Sequence, residues 1–213
     1  MSITLIIIVI TAIVSFAAFS NEELKQKLIF YPPAISQRRE WYRFFTHGLI
    51  HANIAHLVFN LYAFYSFGTF LEGAFGQIFG DSGKLLYLVM YITAIAAASV
   101  PEYMAQRDNY HYQSLGASGA VSGVIFAAIF LDPLANVGLI FIPVRVHGFI
   151  FGLIFLVITA YLAKRGGGGI NHSAHLWGAL YGIAFLIVMS LALHTEFSPI
   201  DNFVKSVKGY LGN

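Results

Sequence analysis

Six long stretches of this 213-residue sequence contain no Asp, Glu, Lys or Arg. They are residues 1–21, 44–71, 85–101, 109–131, 146–163 and 166–195. Each has close to or more than the roughly 20 apolar residues that a membrane-spanning helix needs. With 58% hydrophobic and only 10% charged residues, the chain is not an ordinary water-soluble globule. Membrane barrels use short segments of alternating polarity, so these continuous runs predict an all-α membrane protein with a bundle of six transmembrane helices.

Charged residues, prolines and glycines predict the helix ends within one membrane domain over residues 1–213. The expected helices are about 3–19, 46–72, 84–104, 115–131, 147–163 and 172–193. The expected connections are an interfacial loop over 20–45, an extended loop over 133–146, a glycine turn at 166–169 and a short polar tail. The first stretch lacks a basic start, which favours a retained helix over a signal peptide cleaved after Ala17 or Ala18.

Charge and cysteine content exclude several classes of function. The net charge of +2 is too small for a nucleic-acid-binding surface. The absence of cysteine excludes disulfides, thiolate metal sites and cysteine nucleophiles. The sequence also lacks an internal repeat, which argues against an inverted-repeat transporter.

Polar residues at membrane depth are candidates for function, because hydrocarbon offers them no hydrogen-bond partners. In a six-helix bundle the second, fourth and sixth helices enter the membrane from one side, so their first turns lie at similar depth. Those turns contain His47, His51, His56, Asn60, Ser118 and His175.

Ser118 lies in a Gly-Ala-Ser-Gly segment at the start of the fourth predicted helix. A serine among small residues is commonly a packing residue, and Gly119 and Gly123, one turn apart, permit close approach of another helix. Glycines at a helix start also leave backbone N–H groups able to face a developing negative charge. An acyl-transfer nucleophile needs that geometry, so both interpretations of Ser118 remain open.

His175 shares one face of the sixth predicted helix with Gly178 and Gly182. If this groove seats against the surface formed by Gly119 and Gly123, Ser118 Oγ comes within reach of an imidazole nitrogen. Activation of a nucleophile demands such reach. The alternative is a buried histidine that only bonds a carbonyl group.

Three histidines and one asparagine open the second predicted helix. On one continuous helix His56 and Asn60 face the same way, whereas His47 and His51 point roughly opposite. This disfavours a three-histidine zinc site, so no metal is expected. His56 and Asn60 suit either donation to an oxyanion or bridging between helices, and the other two histidines suit a structural role. Glu72 is expected to pair with a loop or backbone donor without a chemical role.

These motifs occur in an order that resembles the rhomboid intramembrane serine proteases, over about residues 30–190. The matching segments are Trp41-Tyr42-Arg43, Phe45-Thr46-His47, the His51/His56/Asn60 spacing, Leu71-Glu72-Gly73, Gly116-Ala117-Ser118-Gly119, Ile142-Pro143, and Ala174-His175 with Gly178 and Gly182. The resemblance implies the minimal six-helix, bacterial-type form, and it requires no cofactor.

The resemblance implies a Ser/His dyad without an acid, with Ser118 as nucleophile and His175 as general base. His56, Asn60 and the backbone N–H of Ser118 would hold the oxyanion. The implied partners are transmembrane protein substrates and the lipid bilayer, without nucleic acid. The substrates would be single-pass proteins cleaved in or near their membrane segment.

Two features depart from the family pattern. Many relatives carry an aromatic residue where this sequence has Ser122, so support for His175 is expected from Trp177 or Tyr181.

The second departure concerns orientation in the membrane. Eight of the 12 basic residues lie on the predicted active-site side, which by the positive-inside rule favours a cytoplasmic active site. The family implies the opposite, and we follow it: a bacterial inner membrane, a cytoplasmic N-terminus and an active site opening to the extracytoplasmic side.

Two other functions compete with an active protease. One is a catalytically silent rhomboid-like protein that binds membrane clients, which Ser122 favours slightly. The other is a small channel, transporter or metal-binding membrane protein that uses the histidines. The presence of both Ser118 and His175 favours the protease.

Overall fold

The computed structural model describes residues 2–138, 145–165 and 170–212. The helices are α1 Ile3–Phe19, α2 Glu22–Leu28, α3 Pro32–Arg38, α4 Arg43–Thr46, α5 Ile54–Phe79, α6 Gly83–Gln106, α7 Ser118–Leu131, α8 Gly148–Arg165, α9 His172–Ala192 and α10 Pro199–Leu211. Strands β1 Asn136–Gly138 and β2 Arg145–His147 pair antiparallel. Short 3-10 turns follow α4 and α5.

The fold is all-α apart from this one small hairpin, as predicted, within the residues described. Three helical stretches are long and apolar enough to cross a membrane: Ile54–Gln106, Gly148–Arg165 and His172–Ala192. The first of them turns back at Gly80 and therefore comprises both α5 and α6. Helices α1 and α7 are apolar but shorter. The chain is thus a multi-pass membrane protein.

The prediction of 46–72 for the second helix is wrong at both ends, because α5 covers Ile54–Phe79. Asn53 caps its start, since its side-chain oxygen accepts a hydrogen bond of 2.8 Å from the His56 N–H. The helix ends at Gly80, whose φ of 56° suits glycine.

The predicted loop over 20–45 contains three short helices, which Arg43 holds together. This side chain is only 5% exposed, and its guanidinium donates to the carbonyl oxygens of Gln26 at 2.8 Å and Ile29 at 2.7 Å. It also donates to the carboxylate of Glu40. Burial alone would raise the pKa of Glu40, but the hydrogen bond and charge of Arg43 outweigh it and lower that pKa. The Glu40 carboxylate therefore stays ionised at neutral pH, and its contact with Arg43 fixes the segment.

The remaining predictions differ from the structure by smaller amounts. The fourth helix begins at Ser118 rather than 115, and α8 continues through Lys164 and Arg165, two residues beyond its predicted end at 163. The hairpin β1–β2 agrees with the extended character predicted for 133–146. The Ile142-Pro143 motif and the 166–169 turn lie outside the described residues. The prediction of a short polar tail is wrong, because residues 199–211 form the helix α10.

Helix α7 is the central helix of the bundle. Ten of its 14 residues are buried, and it packs against α5, α6 and α9. The largest completely covered side chains of the core come from its neighbours and include Phe64, Leu71, Phe75, Tyr87, Met90 and Leu186. Ser118, the first residue of α7, is therefore held by a helix with little freedom to move.

Glu72 fastens α1 to α5, which agrees with its predicted pairing with backbone donors. Its carboxylate accepts hydrogen bonds from the N–H groups of Ile3 at 2.8 Å and Thr4 at 3.0 Å. The hydroxyls of Ser2 at 2.7 Å and Thr4 at 2.8 Å also donate to it. These groups form the start of α1, where helix N–H groups have no partners within the helix and the helix dipole favours a negative charge.

We expect Glu72→Ala to lower the free energy of unfolding by about 3 kcal/mol, since hydrogen bonds to a charged group are strong and the deleted carboxylate leaves several donors unpaired. Titration of the detergent-solubilised protein with a denaturing detergent measures this loss. The control is Glu23→Ala, because Glu23 is exposed and pairs only with Lys27 along one helix. Equal shifts for both variants would contradict the role of Glu72.

Candidate active site

Helices α7 and α9 touch backbone to backbone. A Cβ atom added to Gly178 would lie 1.9 Å from the carbonyl oxygen of Gly119, and one added to Gly182 would lie 2.0 Å from that of Gly123. Neither separation is possible for real atoms, so glycine is required at both positions of α9. The predicted seating of the α9 groove on the glycine surface of α7 is confirmed.

The chain reaches Ser118 through a glycine with an unusual backbone. Gly116 has a φ of 109°, and its N–H donates to the carbonyl oxygen of His47 at 2.9 Å. A Cβ at Gly116 would lie 2.8 Å from Cε1 of His56. The absence of a side chain therefore lets the His56 imidazole lie against the backbone two residues before Ser118.

The start of α7 offers unpaired backbone donors beside Ser118. The Val121 N–H donates to the Ala117 carbonyl oxygen at 2.9 Å, which is the first hydrogen bond of the helix. The N–H groups of residues 118–120 precede it and so have no acceptor within α7. They lie at the positive end of the helix dipole, where an anion is stabilised.

Asn171 positions the start of α9, four residues before His175. Its side-chain oxygen caps the helix by accepting from the Ala174 N–H at 2.9 Å. Its amide nitrogen donates to the hydroxyls of Tyr112 at 3.1 Å and Ser114 at 3.4 Å, in the loop that leads to α7. The sequence analysis missed this residue, although an asparagine directly before a helix is a common capping signal.

The rings beside His175 are not the ones predicted. Phe155 of α8 lies at 6.3 Å between ring centroids, and His172 lies edge-on at 6.1 Å. Trp177 is instead 47% exposed on the outer face of α9, and the Tyr181 hydroxyl donates to Thr93 at 2.6 Å. The imidazole thus lies beside one ring of a neighbouring helix, Phe155, and one ring of its own helix, His172.

His47 and His51 have the structural role predicted, but they precede α5 instead of lying on it. His47 Nε2 is 3.0 Å from the Ser99 hydroxyl of α6. His51 Nδ1 is 3.0 Å from the Ser15 hydroxyl of α1. Both histidines are buried, so they tie the loop between α1 and α5 to two different helices.

His56 and Asn60 lie in the first two turns of α5. The His56 ring stands edge-on to that of His51, with 5.0 Å between centroids. The Asn60 amide nitrogen donates to the His56 carbonyl oxygen at 3.1 Å, which uses one of its two N–H groups. The second N–H group of this buried amide remains as a donor.

One cavity of about 1050 Å³ brings all four candidate residues together, since Ser118, His175, His56 and Asn60 all line it. His172, which the sequence analysis did not select, lines it too. In the part of the chain that the structure describes, no group of three or more His, Asp or Glu residues is arranged to hold a metal ion. The arrangement combines a hydroxyl, an imidazole and several N–H donors, which are the groups that acyl transfer requires.

Comparison with known proteins agrees with the motifs. The family model described as the Rhomboid domain matches residues 38–192. The chain is 28% identical to rhomboid protease GlpG of Haemophilus influenzae over 159 residues, covering 73% of each chain. It is 32% identical to RHOMBOID-like protein 12, mitochondrial, of Arabidopsis thaliana over 63% of this chain and 42% of that one. It is 35% identical to rhomboid protease GluP of Bacillus subtilis over 43% of this chain and 16% of that one.

We expect Gly178→Ala to unfold the bundle or separate α7 from α9, because the added methyl would overlap the Gly119 carbonyl. The loss should reach several kcal/mol, as for overpacking against a backbone that cannot yield. Thermal unfolding in detergent measures it. Gly73→Ala is the matched control, since a Cβ there meets nothing within 4 Å and alanine favours the helix. A Gly178→Ala protein as stable as the control would contradict the contact.

Proposed function

Because the chain belongs to the rhomboid family, we propose that it is an active intramembrane serine endopeptidase that cleaves single-pass transmembrane proteins in or near their membrane segment. The observation that carries this proposal is that Ser118 and His175 line one cavity, on two helices in backbone contact. Relatives named as proteases, GlpG and GluP, support it.

The first half of the reaction forms an acyl-enzyme. The His175 imidazole takes the hydroxyl proton of Ser118 while Oγ attacks the carbonyl carbon of the scissile peptide bond. The carbonyl oxygen becomes an oxyanion. When this intermediate collapses, the C–N bond breaks and the imidazolium returns its proton to the leaving amine, which gives an ester on Ser118 and a free amino terminus.

The second half hydrolyses the ester. The imidazole removes a proton from a water molecule, whose oxygen attacks the ester carbonyl. Collapse then breaks the bond to Oγ, and the proton passes from the imidazolium to Ser118. The product is a carboxylic acid, and the dyad is restored.

The oxyanion would be held by three donors. The backbone N–H of Ser118 lies at the positive end of α7, the His56 ring rests against Gly116, and Asn60 has a second amide N–H to donate. Donors fixed in advance stabilise the developing charge without reorganising when it forms. Gly116 contributes indirectly, since any side chain there would push the imidazole away.

A substrate carbonyl in an intact helix is already hydrogen-bonded and shielded by its own turns. Cleavage therefore requires local unwinding of the substrate segment. Glycine and other weak helix formers lower the cost of unwinding by up to about 1 kcal/mol each. The proposed substrate class is accordingly a single-pass protein with such residues near the cleavage point.

The proposed topology places six helices across a bacterial inner membrane within one domain: α1, α5, α6, α7, α8 and α9. The N-terminus would be cytoplasmic, and the starts of α5, α7 and α9 would face the extracytoplasmic side. One relative, from Arabidopsis thaliana, is named as mitochondrial. The even number of spans would return residues 199–211 to the cytoplasmic face.

We expect Ser118→Ala to abolish cleavage of a fluorogenic single-pass substrate, by more than about 10³-fold, because no nucleophile remains. The assay uses wild type and variant purified in detergent. Fluorophosphonate should label the wild type and not the variant. Ser66→Ala is the control, since Ser66 lies on the exposed surface of α5 and its hydroxyl donates to the Tyr62 carbonyl oxygen one turn earlier.

Two outcomes would overturn the proposal. Cleavage that survives in Ser118→Ala would place the chemistry elsewhere. Folded wild-type protein that neither cleaves any of several substrates nor reacts with fluorophosphonate would favour the silent, client-binding alternative.

We further expect His56→Ala and Asn60→Ala each to lower kcat on the order of 10²-fold, the usual loss for one oxyanion donor. KM should change much less, because these donors act chiefly on the transition state. The rate of fluorophosphonate labelling, which passes through a similar charged state, should fall in parallel. Variants with unfolding midpoints near that of wild type but undiminished labelling rates would contradict this role.

A further inference from the structure

Helix α10 presents three different faces, although its sequence reads as a polar tail. Viewed at about 100° per residue, one sector turns toward the bundle and a second is apolar and uncovered. The third sector carries the charged side chains. The apolar positions are Ile200, Val204, Val207 and Leu211, a spacing typical of an amphipathic helix.

The first sector fastens α10 to the bundle at the end remote from Ser118. The Asn202 amide donates a hydrogen bond of 2.7 Å to the carbonyl oxygen of Leu131, which is the last residue of α7. Phe203 stacks on Phe130 with centroids 4.7 Å apart and the rings nearly parallel. Helix α7 is about 21 Å long. Because α10 contacts the end of α7 that is remote from Ser118, it lies near the membrane surface opposite the candidate active site.

The far end of α10 is fastened to the region between α7 and α8. The Tyr210 ring lies edge-on to His147 of β2, with 4.7 Å between centroids, and 5.7 Å from Phe149 in the first turn of α8. Contacts at both ends fix the rotation of α10 about its axis. Its second sector must therefore face outward from the protein.

This outward sector is exposed, as are apolar residues at the end of α9. Ile200, Val204 and Leu211 are 45%, 40% and 70% exposed. Leu191 and Leu193, at the end of α9, are 67% and 51% exposed and belong to the surface that faces lipid in a membrane-spanning helix. The third sector, beside the apolar one, carries exposed Lys205 and Lys208.

We propose that α10 is an interfacial helix whose partner is the bilayer surface on the side opposite the candidate active site. Its apolar sector lies among the first carbons of the acyl chains, and Lys205 and Lys208 reach the headgroup phosphates. The charged face also carries Asp201 but is basic on balance, and a division of one helix into an apolar and a basic face is what membrane interfaces bind. Because α10 contacts α7 and the start of α8, the bilayer then fixes the depth of that junction.

The test uses the absence of cysteine from the chain, which makes single-site labelling clean. Val204→Cys and Asp201→Cys are labelled with the same small fluorophore in the 213-residue chain, reconstituted in vesicles of phosphatidylcholine and phosphatidylglycerol. The expected result is that nitroxide lipids quench the probe at position 204 several-fold more than the one at 201. Iodide in the aqueous phase should show the reverse order.

Two results would overturn the proposal. Equal quenching of both positions by iodide would mean that the apolar sector faces water. Disulfide dimers of Val204→Cys that persist when the protein is diluted with excess lipid would mean that a second copy of this chain covers the sector. Ile200→Cys repeats the measurement if Val204→Cys does not fold. The fluorescence of both probes should be quenched to the same extent in a Ser118→Ala background, so the result does not depend on the proposed protease activity.

Discussion

The contact between the backbones of α7 and α9 determines the arrangement of the rest of the structure. Gly178 and Gly182 carry no side chain because the carbonyl groups of Gly119 and Gly123 occupy the space. Helices that approach this closely gain dispersion contacts along their length, which is how membrane helices associate without a hydrophobic driving force. The same approach brings the starts of the two helices, and hence Ser118 and His175, to the wall of one cavity.

Hydrogen bonds at the polar end of the bundle complement this packing. Asn171 joins the start of α9 to the loop before α7, and Ser114 of that loop pairs with the backbone of Phe30. His47 accepts from Gly116 and bonds Ser99. Each connection crosses between segments far apart in sequence. The candidate site is therefore positioned in two ways, by the glycine packing along α7 and α9 and by the polar contacts of the loops that precede them.

The sequence predicted much of this arrangement, because charged residues interrupt the apolar runs close to where the helices end. It also predicted the glycine face of α9, since spacing on a helix is a local property. The structural role predicted for His47 and His51 agrees with their contacts, but the helical spacing behind that prediction does not apply, because both residues precede α5. The start of α5 could not be placed as well. Uncharged residues continue on both sides of Asn53, and only the capping hydrogen bond marks the boundary.

Other features depended on contacts between distant segments. The phenyl ring beside His175 belongs to Phe155, on a different helix, and no spacing within α9 could indicate it. Helix α10 was missed for another reason. Its charged residues suggest a solvated tail, although its apolar residues have the spacing of an amphipathic helix. The direction in which that face points depends on the contacts of Asn202 and Phe203 with α7.

The shortness of α7 has a consequence for the bilayer itself. Fourteen residues measure about 21 Å, roughly two thirds of a hydrocarbon layer about 30 Å thick. The remaining third, above Ser118, is bordered by polar side chains of the loop before α7, among them Asn109, Gln113 and Ser114. Helix α7 alone is therefore too short to cover the hydrocarbon layer, and the cavity at its start has polar walls. Under the proposed function, water would reach the serine through this cavity, and hydrolysis would not require lifting a hydrophobic segment out of the lipid.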